Sequence, residues 1–290
     1  MDHQKLYRSK AGYEKMMAHY ERSLLKGPVA YDTQFVSTRY GDTHIVVGGN
    51  VDGLPVILFH GWNGNASGIG SEIPSLFSSY RVYMPDIIGH TGKSAPHRLP
   101  TKGADYAHWT SDILDSLGLE QAFVIGVSGG GWLTLKFCAH YPKRVIKAVA
   151  ISSDGLSTAN TLAVLWWMLP AVIVPNRITL KRFLQFMTSP NGTKSGNSEA
   201  FAEMIGLMKN FKTQGNPGLL TDEALSQITV PTLILMGEDE RIFIPAKAIL
   251  RAKQLIPGLV SAEIVPNAGH IIALDQPEYL ATKVLAFFQA

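Results

Sequence analysis

The chain has 290 residues, of which 46% are hydrophobic and 17% are charged. This length suits one large domain or two small ones, and the apolar fraction is enough to bury a core, which excludes a mainly disordered chain. The 26 basic and 23 acidic side chains give a net charge of +3. A balance so near neutrality gives no indication of a nucleic-acid partner. Cys138 is the single cysteine, which excludes an intrachain disulfide and a multi-cysteine metal site.

The N-terminal segment, residues 1–34, is polar and is expected to be helical from Asp2 to Leu25. It has no apolar core of the length that a signal peptide needs, so the expected location is cytoplasmic. The most apolar stretch of the chain runs from Thr161 to Pro175 and is interrupted by Pro170. Because it is shorter than the ~20 residues of a membrane-spanning helix, we expect no membrane span and interpret it as a buried or cleft-lining helix.

Short apolar runs alternate with amphipathic ones along most of the chain. Runs that are apolar on both faces are typical of strands in a parallel sheet covered on both sides. The predicted strands are Phe35–Thr38, Ile45–Val47, Val56–Phe59, Arg81–Met84, Phe123–Ile125, Ala148–Ile151, Val230–Met236 and Glu263–Val265, the first two forming a hairpin through Gly41-Asp42. The predicted helices are Trp109–Leu117, Trp132–Tyr141, Ala246–Ile256 and Pro277–Phe288. This order predicts an α/β fold with a mostly parallel, eight-stranded sheet.

The strand pattern stops after Asp154 and resumes near residue 221. The intervening residues, 155–220, have a helical and unusually apolar pattern, divided by a loop at Ser189–Gly192. We therefore predict an α/β core made of residues 35–154 and 221–290, with residues 155–220 forming a helical cap, or lid.

The pentapeptide Gly126-Val127-Ser128-Gly129-Gly130 has the form G-x-S-x-G and lies between a predicted strand and a predicted helix. A serine on so sharp a turn projects its hydroxyl above the sheet, and the positions two before and two after it have room for little more than hydrogen. Ser128 is therefore the candidate nucleophile. The alternative is a glycine-rich turn that contains a serine by chance. This interpretation is the weaker one, because the motif lies between a predicted strand and a predicted helix.

A serine hydroxyl needs a base, and the base in turn needs an acid that orients it. His270 follows the last predicted strand, at the sheet edge where ligand-handling loops gather, whereas the other histidines occupy ordinary turn, loop and helix positions. Three consecutive acids compete for the third role: Glu238, Asp239 and Glu240. Neighbours on an extended segment point in different directions, so one or at most two of them can face His270. Asp154 is a weaker candidate.

Acyl transfer also requires donors for the oxyanion that develops on the substrate. The backbone N–H groups of Trp62, in the loop after the third predicted strand, and of Gly129, next to the nucleophile, are the candidates. The Trp62 side chain is a candidate substrate contact, although it could instead serve only in packing.

These features together resemble the α/β-hydrolase family over the chain from about Phe35 to its end. The matching pieces are His60-Gly61-Trp62, the stretch Pro85–Ser94, the turn at Ser128, and Gly269-His270 followed by Gln276-Pro277-Glu278. Within the family the chain is most similar to bacterial carboxylesterase-like hydrolases whose acid loop reads G-E-x-E. That resemblance implies Glu240 as the acid, with Asp239 as the second choice, and it implies no metal and no organic cofactor.

The leading interpretation is a serine hydrolase that cleaves a small-molecule carboxylic ester through an acyl-enzyme. Family members that open epoxides or remove halide use an aspartate nucleophile, so Ser128 argues against both reactions. Carbon–carbon bond hydrolysis or perhydrolysis on the same three residues is the alternative enzyme reading, and a small-molecule receptor that retains them is a third. The apolar residues of the cap, Trp166 and Trp167 first among them, are expected either to contact the substrate or to form the lid's own core. The oligomeric state stays open.

Overall fold

A computed structural model describes residues 3–193 and 198–290, so Met1, Asp2 and four residues of the predicted cap lie outside the described residues. An eight-stranded sheet forms its centre, in the order β1-β2-β4-β3-β5-β6-β7-β8. The strands are β1 (Asp32–Thr38), β2 (Gly41–Gly49), β3 (Leu54–Phe59), β4 (Tyr80–Pro85), β5 (Ala122–Val127), β6 (Val145–Ile151), β7 (Thr232–Gly237) and β8 (Leu259–Val265). Only β1–β2 and β2–β4 pair antiparallel. The predicted α/β fold with a mostly parallel sheet is confirmed.

Helices cover both faces of the sheet. The α-helices of the described residues are α1 (Lys10–Leu25), α2 (Ala66–Ile69), α3 (Asp105–Ser116), α4 (Gly129–His140), α5 (Thr161–Ile173), α6 (Arg177–Met187), α7 (Ser198–Leu207), α8 (Asp222–Ser226), α9 (Pro245–Leu255), α10 (Ile272–Asp275) and α11 (Pro277–Gln289). Short 3-10 helices add His3–Leu6, Pro74–Ser78, Pro142–Arg144 and Met208–Asn210.

The core consists of two apolar layers because the central strands are apolar on both faces. All six residues of β5 are buried. One layer contains Trp109 of α3 and Trp132 of α4, and the other contains Phe123 of β5 and Phe288 of α11. Burial on both faces fixes the register of these strands, and it brings the loops after β3, β5, β6, β7 and β8 to one edge of the sheet.

Several element boundaries differ from the predicted ones, and two of the differences have a local cause. The first hairpin turns through Arg39 and Tyr40, and Gly41, with φ of 101°, already begins β2. Helix α4 begins at Gly129, three residues before its predicted start. The glycines lower helix propensity, but tertiary packing overrides it, since a side chain at Gly130 or Gly131 would overlap neighbouring segments.

Helices α5, α6 and α7 lie in the region between β6 and α8, which we call the insertion (residues 155–220). They pack on one another through a small apolar cluster that contains Ala171, Phe183, Phe186 and Met187. Of the two interpretations of residues 161–175, a buried or a cleft-lining helix, the buried one is wrong, because Ala171 is the one buried residue of α5 and Trp166 is 76% exposed. A helix that is apolar all round presents only one side to α6 and α7, which leaves the rest of its apolar surface in solvent. No helix of the described residues is long and apolar enough to cross a membrane.

The N-terminal segment packs against both the core and the end of the insertion. The Tyr7 hydroxyl donates to the carbonyl of Thr91 at 2.8 Å, and the Arg8 N–H donates to the carbonyl of Asn210 at 2.8 Å. In α1, the Tyr20 hydroxyl donates to Asp86 at 3.0 Å. Asp86 is fully buried and also accepts hydrogen bonds from the backbone N–H groups of Ala66 and Lys93.

Removing the Tyr20 hydroxyl tests the link between α1 and Asp86. A buried carboxylate that loses one donor is destabilised, so we expect Tyr20→Phe to lower the free energy of unfolding by about 1.5 kcal/mol. Tyr83→Phe on β4 is the matched control, because Tyr83 is also partly buried and its hydroxyl makes no hydrogen bond to any described residue. Chemical denaturation measures both variants, and equal losses would contradict the assignment.

Candidate active site

Ser128 lies between β5 and α4 in a conformation that few non-glycine residues adopt, with φ of 54° and ψ of −118°. Its N–H donates to the carbonyl of Ile151, at the end of β6, at 2.8 Å. A Cβ atom on Gly126 would lie 2.0 Å from the carbonyl oxygen of Gly130, and one on Gly130 would lie 2.5 Å from that of Phe59. The two glycines therefore allow the turn that holds Ser128 above the sheet edge.

The two predicted oxyanion donors lie side by side next to Ser128. A Cβ atom on Gly129 would lie 2.9 Å from the backbone nitrogen of Trp62, and one on Gly61 would lie 3.6 Å from the Cβ atom of Ser128. The loop after β3 therefore packs directly on the first turn of α4. The N-terminus of this twelve-residue helix favours negative charge beside Ser128.

Two buried histidines hold the loop after β3, residues 60–65, which we call the Trp62 loop. His60 Nε2 accepts the N–H of Ile87 at 2.9 Å, and His90 Nδ1 accepts the N–H of Asn63 at 2.8 Å. Burial lowers the pKa of His60, and it lowers the pKa of His90 well below its usual range. Both rings are therefore neutral, as an imidazole nitrogen must be in order to accept a backbone hydrogen bond. Their role is to support the loop.

His270 lies against Glu240, with 2.6 Å between Nδ1 and Oε2. Glu240 comes from the turn after β7, and its Oε1 accepts the N–H of Ile242 at 2.7 Å. Burial disfavours a charge on His270, but the Glu240 carboxylate outweighs this effect, and the pKa of His270 is raised. This contact fixes the tautomer of the imidazole and leaves Nε2 available for proton transfer.

The three consecutive acids after β7 have three different partners. Glu240 contacts His270, Asp239 accepts a hydrogen bond from the Ser189 hydroxyl at 2.6 Å, and Glu238 accepts the N–H of Asn267 at 3.0 Å. The second-choice acid therefore anchors the loop after α6 instead of facing the imidazole.

Two further carboxylates act electrostatically on His270. Asp154, in the loop after β6, is 3% exposed, and burial raises its pKa to about 6. It interacts with the side chains of Ser128 and Asn216 instead of the His270 ring nitrogen that Glu240 occupies. Glu72, which follows α2, has its pKa raised by burial to about 7. Sequence reasoning missed Glu72, because nothing in the pattern around it links it to His270.

The end of the insertion is hydrogen-bonded to the side chains of the Trp62 loop. We call residues 213–216 the return segment. The Trp62 indole N–H donates to the carbonyl of Gly215 at 2.7 Å. The Asn63 side chain donates to the carbonyl of Gln214 at 2.9 Å and accepts its N–H at 2.8 Å. The Asn216 amide donates to Asp154.

The three tryptophans predicted to contact the substrate differ in their surroundings. The Trp62 ring is half-buried and packs edge-on against His90 at 4.3 Å between ring centroids. Trp167 stacks on Phe186 at 5.9 Å. Trp166, at 76% exposure, is not brought to the site. Among residues 3–193 and 198–290, no group of three or more His, Cys, Asp or Glu side chains is placed to hold a metal ion.

Comparisons with known proteins agree on one family. A family model described as the alpha/beta hydrolase fold matches residues 55–277. The chain is 33% identical to the uncharacterized carboxylesterase nap of Bacillus subtilis over 93% of this chain and 91% of that protein. It is 34% identical to carboxylesterase YbfK of the same species over 92% and 91% of the two chains. The crystal structure of naproxen esterase from Bacillus subtilis superposes with a TM-score of 0.82 at 31% identity, covering 95% of this chain and 97% of that one.

The crowding at Gly126 is testable by adding a single methyl group. The Cβ atom of Gly126→Ala would overlap the backbone of Gly130, so we expect a loss of about 3 kcal/mol in the free energy of unfolding. Gly68→Ala in α2 is the control, because a Cβ there meets nothing within 4 Å, and we expect it to be neutral or slightly stabilising. Denaturant titration of both variants decides, and a stable Gly126→Ala protein would contradict the geometry.

Proposed function

Because the chain belongs to the α/β-hydrolase family, we propose that it is a serine carboxylesterase that hydrolyses small, apolar esters through an acyl-enzyme. The observation that carries the proposal is the arrangement of Ser128 on its strained turn, with His270 held by Glu240 at the same sheet edge. The names of the relatives support ester bonds as the target.

In the first step Ser128 attacks the ester carbonyl carbon. His270 Nε2 takes the hydroxyl proton, and Glu240, on Nδ1, stabilises the imidazolium that results. The backbone N–H groups of Trp62 and Gly129 donate to the oxyanion. The imidazolium then gives its proton to the alkoxy oxygen, the alcohol leaves, and the acyl group stays on Ser128.

In the second step water hydrolyses the acyl-enzyme. His270 takes a proton from the water, whose oxygen attacks the acyl carbon at the same donors. The bond between the acyl carbon and the Ser128 oxygen breaks, the serine regains its proton from the imidazolium, and a carboxylate with one released proton is the product. This cycle uses only protein groups and water, so no cofactor is part of the proposal.

We place the substrate between the Trp62 loop and the insertion, residues 155–220, which acts as a lid. The return segment crosses the Trp62 loop, and the loop after α6 is tied to Asp239. The insertion contains an apolar cluster, and α5 exposes several large apolar side chains, which supports an apolar acyl or alcohol group. Trp62 and Trp167 are the tryptophans that we propose as contacts, whereas the exposure of Trp166 speaks against it.

Steady-state hydrolysis of p-nitrophenyl esters of increasing acyl length tests the proposal. We expect multiple turnovers by the wild type, and a fall of at least about 10³-fold in kcat for Ser128→Ala, because the nucleophile is removed while the fold is kept. Circular dichroism of the variant is the control for folding. A folded wild type without turnover would contradict the esterase assignment and would favour a carbon–carbon bond hydrolase or a receptor.

A pair of isosteric variants tests the assignment of the acid. We expect Glu240→Gln to lower kcat by about 10³-fold or more, because the imidazole loses its orienting charge. His270 accepts a proton only when neutral, so kcat/KM falls as the pH drops through its pKa. Glu240 raises that pKa, and the acidic limb of the profile should therefore move to lower pH in Glu240→Gln.

Asp239→Asn is the matched variant, since its carboxylate binds Ser189. We expect it to keep the acidic limb in place, with kcat within about fivefold of the wild type. The reverse outcome, a large loss in Asp239→Asn and none in Glu240→Gln, would make Asp239 the acid.

A further inference from the structure

Asp154 lies where the nucleophile and the return segment meet. Its backbone N–H donates to the carbonyl of Ser128 at 3.2 Å, and its side chain is 3% exposed. The Ser128 hydroxyl interacts with its carboxylate, and the Asn216 amide donates to Oδ1. The reaction cycle described above does not use this carboxylate, although it belongs to a residue whose backbone is hydrogen-bonded to that of Ser128.

We propose that Asp154 discriminates by charge at Ser128: it admits the uncharged ester and repels the carboxylate that hydrolysis leaves in the same place. The inference rests on the proposed esterase function and deepens it, since it assigns a residue to product release. It also predicts that esters with an anionic acyl group are poor substrates.

The chemistry of the cycle places two anions close together at its end. The neutral ester has no net charge to interact with Asp154. The product carries a full negative charge on two oxygens, one of them from the attacking water, beside Ser128 and the oxyanion donors. At the few ångströms that separate these groups inside a protein, repulsion between two anions weakens binding by at least about tenfold.

The surroundings of Asp154 determine when it is charged. Among the described residues, the titratable groups that act on it are His270 and Glu240, and the Arg251 guanidinium of α9 reaches the carbonyl of the adjacent Gly155 at 2.9 Å. Burial and the Glu240 charge favour the neutral form, while His270, Asn216 and Ser128 favour the ionised form. With its pKa at about 6, the group is ionised at neutral pH and becomes protonated as the pH falls below that value.

Asp154→Asn removes the charge and keeps the shape. The amide oxygen can still accept from Asn216, so the fold and the return segment should be preserved. Glu72→Gln is the matched control: Glu72 acts electrostatically on His270, as Asp154 does, but Ser128 is not among the groups that shift the pKa of Glu72. The pair separates a direct effect at the nucleophile from an effect that passes through the imidazole.

The experiment is calorimetric titration with methoxyacetate, a small carboxylate that stays ionised throughout the range used. We compare wild type, Asp154→Asn and Glu72→Gln at about pH 8 and about pH 5. Wild type should bind at least about tenfold more weakly than Asp154→Asn at the higher pH, where Asp154 is ionised. The two dissociation constants should converge at the lower pH, where Asp154 is neutral, and Glu72→Gln should stay within about twofold of wild type at both.

Three results would overturn the proposal: equal binding by wild type and Asp154→Asn at the higher pH, an equal gain in Glu72→Gln, or no binding by any of the three proteins. Binding is measured without turnover, so the result is independent of the esterase assay. If the expected difference appears in a protein that hydrolyses no ester, charge discrimination at Ser128 stands and only the esterase function fails.

Discussion

The site depends on the backbone conformation of Ser128. A φ of 54° is unfavourable for a residue that has a side chain. The conformation persists because the segments packed around the turn hold the Ser128 backbone in it. Gly126 and Gly130 allow the close approach, and the end of β6 accepts the Ser128 N–H. The same turn directs the first turn of α4 at Ser128 and brings Gly129 against Trp62. The proposed nucleophile and the proposed oxyanion donors are therefore positioned together by one close-packed turn.

Electrostatics then distinguishes groups that look alike in the sequence. Glu240 contacts a ring nitrogen of His270, whereas Asp154 and Glu72 act on it without occupying that position. Their pKa values are raised to about 6 and about 7 by burial, so both can change charge near neutral pH. His60 and His90, by contrast, are kept neutral and support the Trp62 loop. Thus the pKa of His270 is raised, whereas the pKa values of His60 and His90 are lowered.

The fold was predictable because a parallel sheet covered on both faces imposes apolar runs, and the glycines around Ser128 mark the sharp turn. The candidate nucleophile, acid and histidine were identifiable for the same reason, since each lies just after a predicted strand. The choice between Glu240 and Asp239 rested on a family resemblance, because side-chain direction in a turn depends on contacts with Ser189 and His270 that are distant in sequence. Glu72 and the exposure of α5 depend wholly on tertiary packing, which local patterns do not contain.

The central claim is that Ser128 carries an acyl group during turnover. Mass spectrometry of peptides from protein quenched within milliseconds of mixing with p-nitrophenyl acetate tests it directly. We expect an acetyl group on the peptide that contains Ser128, transient in the wild type and absent from Ser128→Ala. Acetylation of another residue instead would contradict this. So would release of p-nitrophenol with no acylated peptide at any time, measured at a lower pH that slows deacylation.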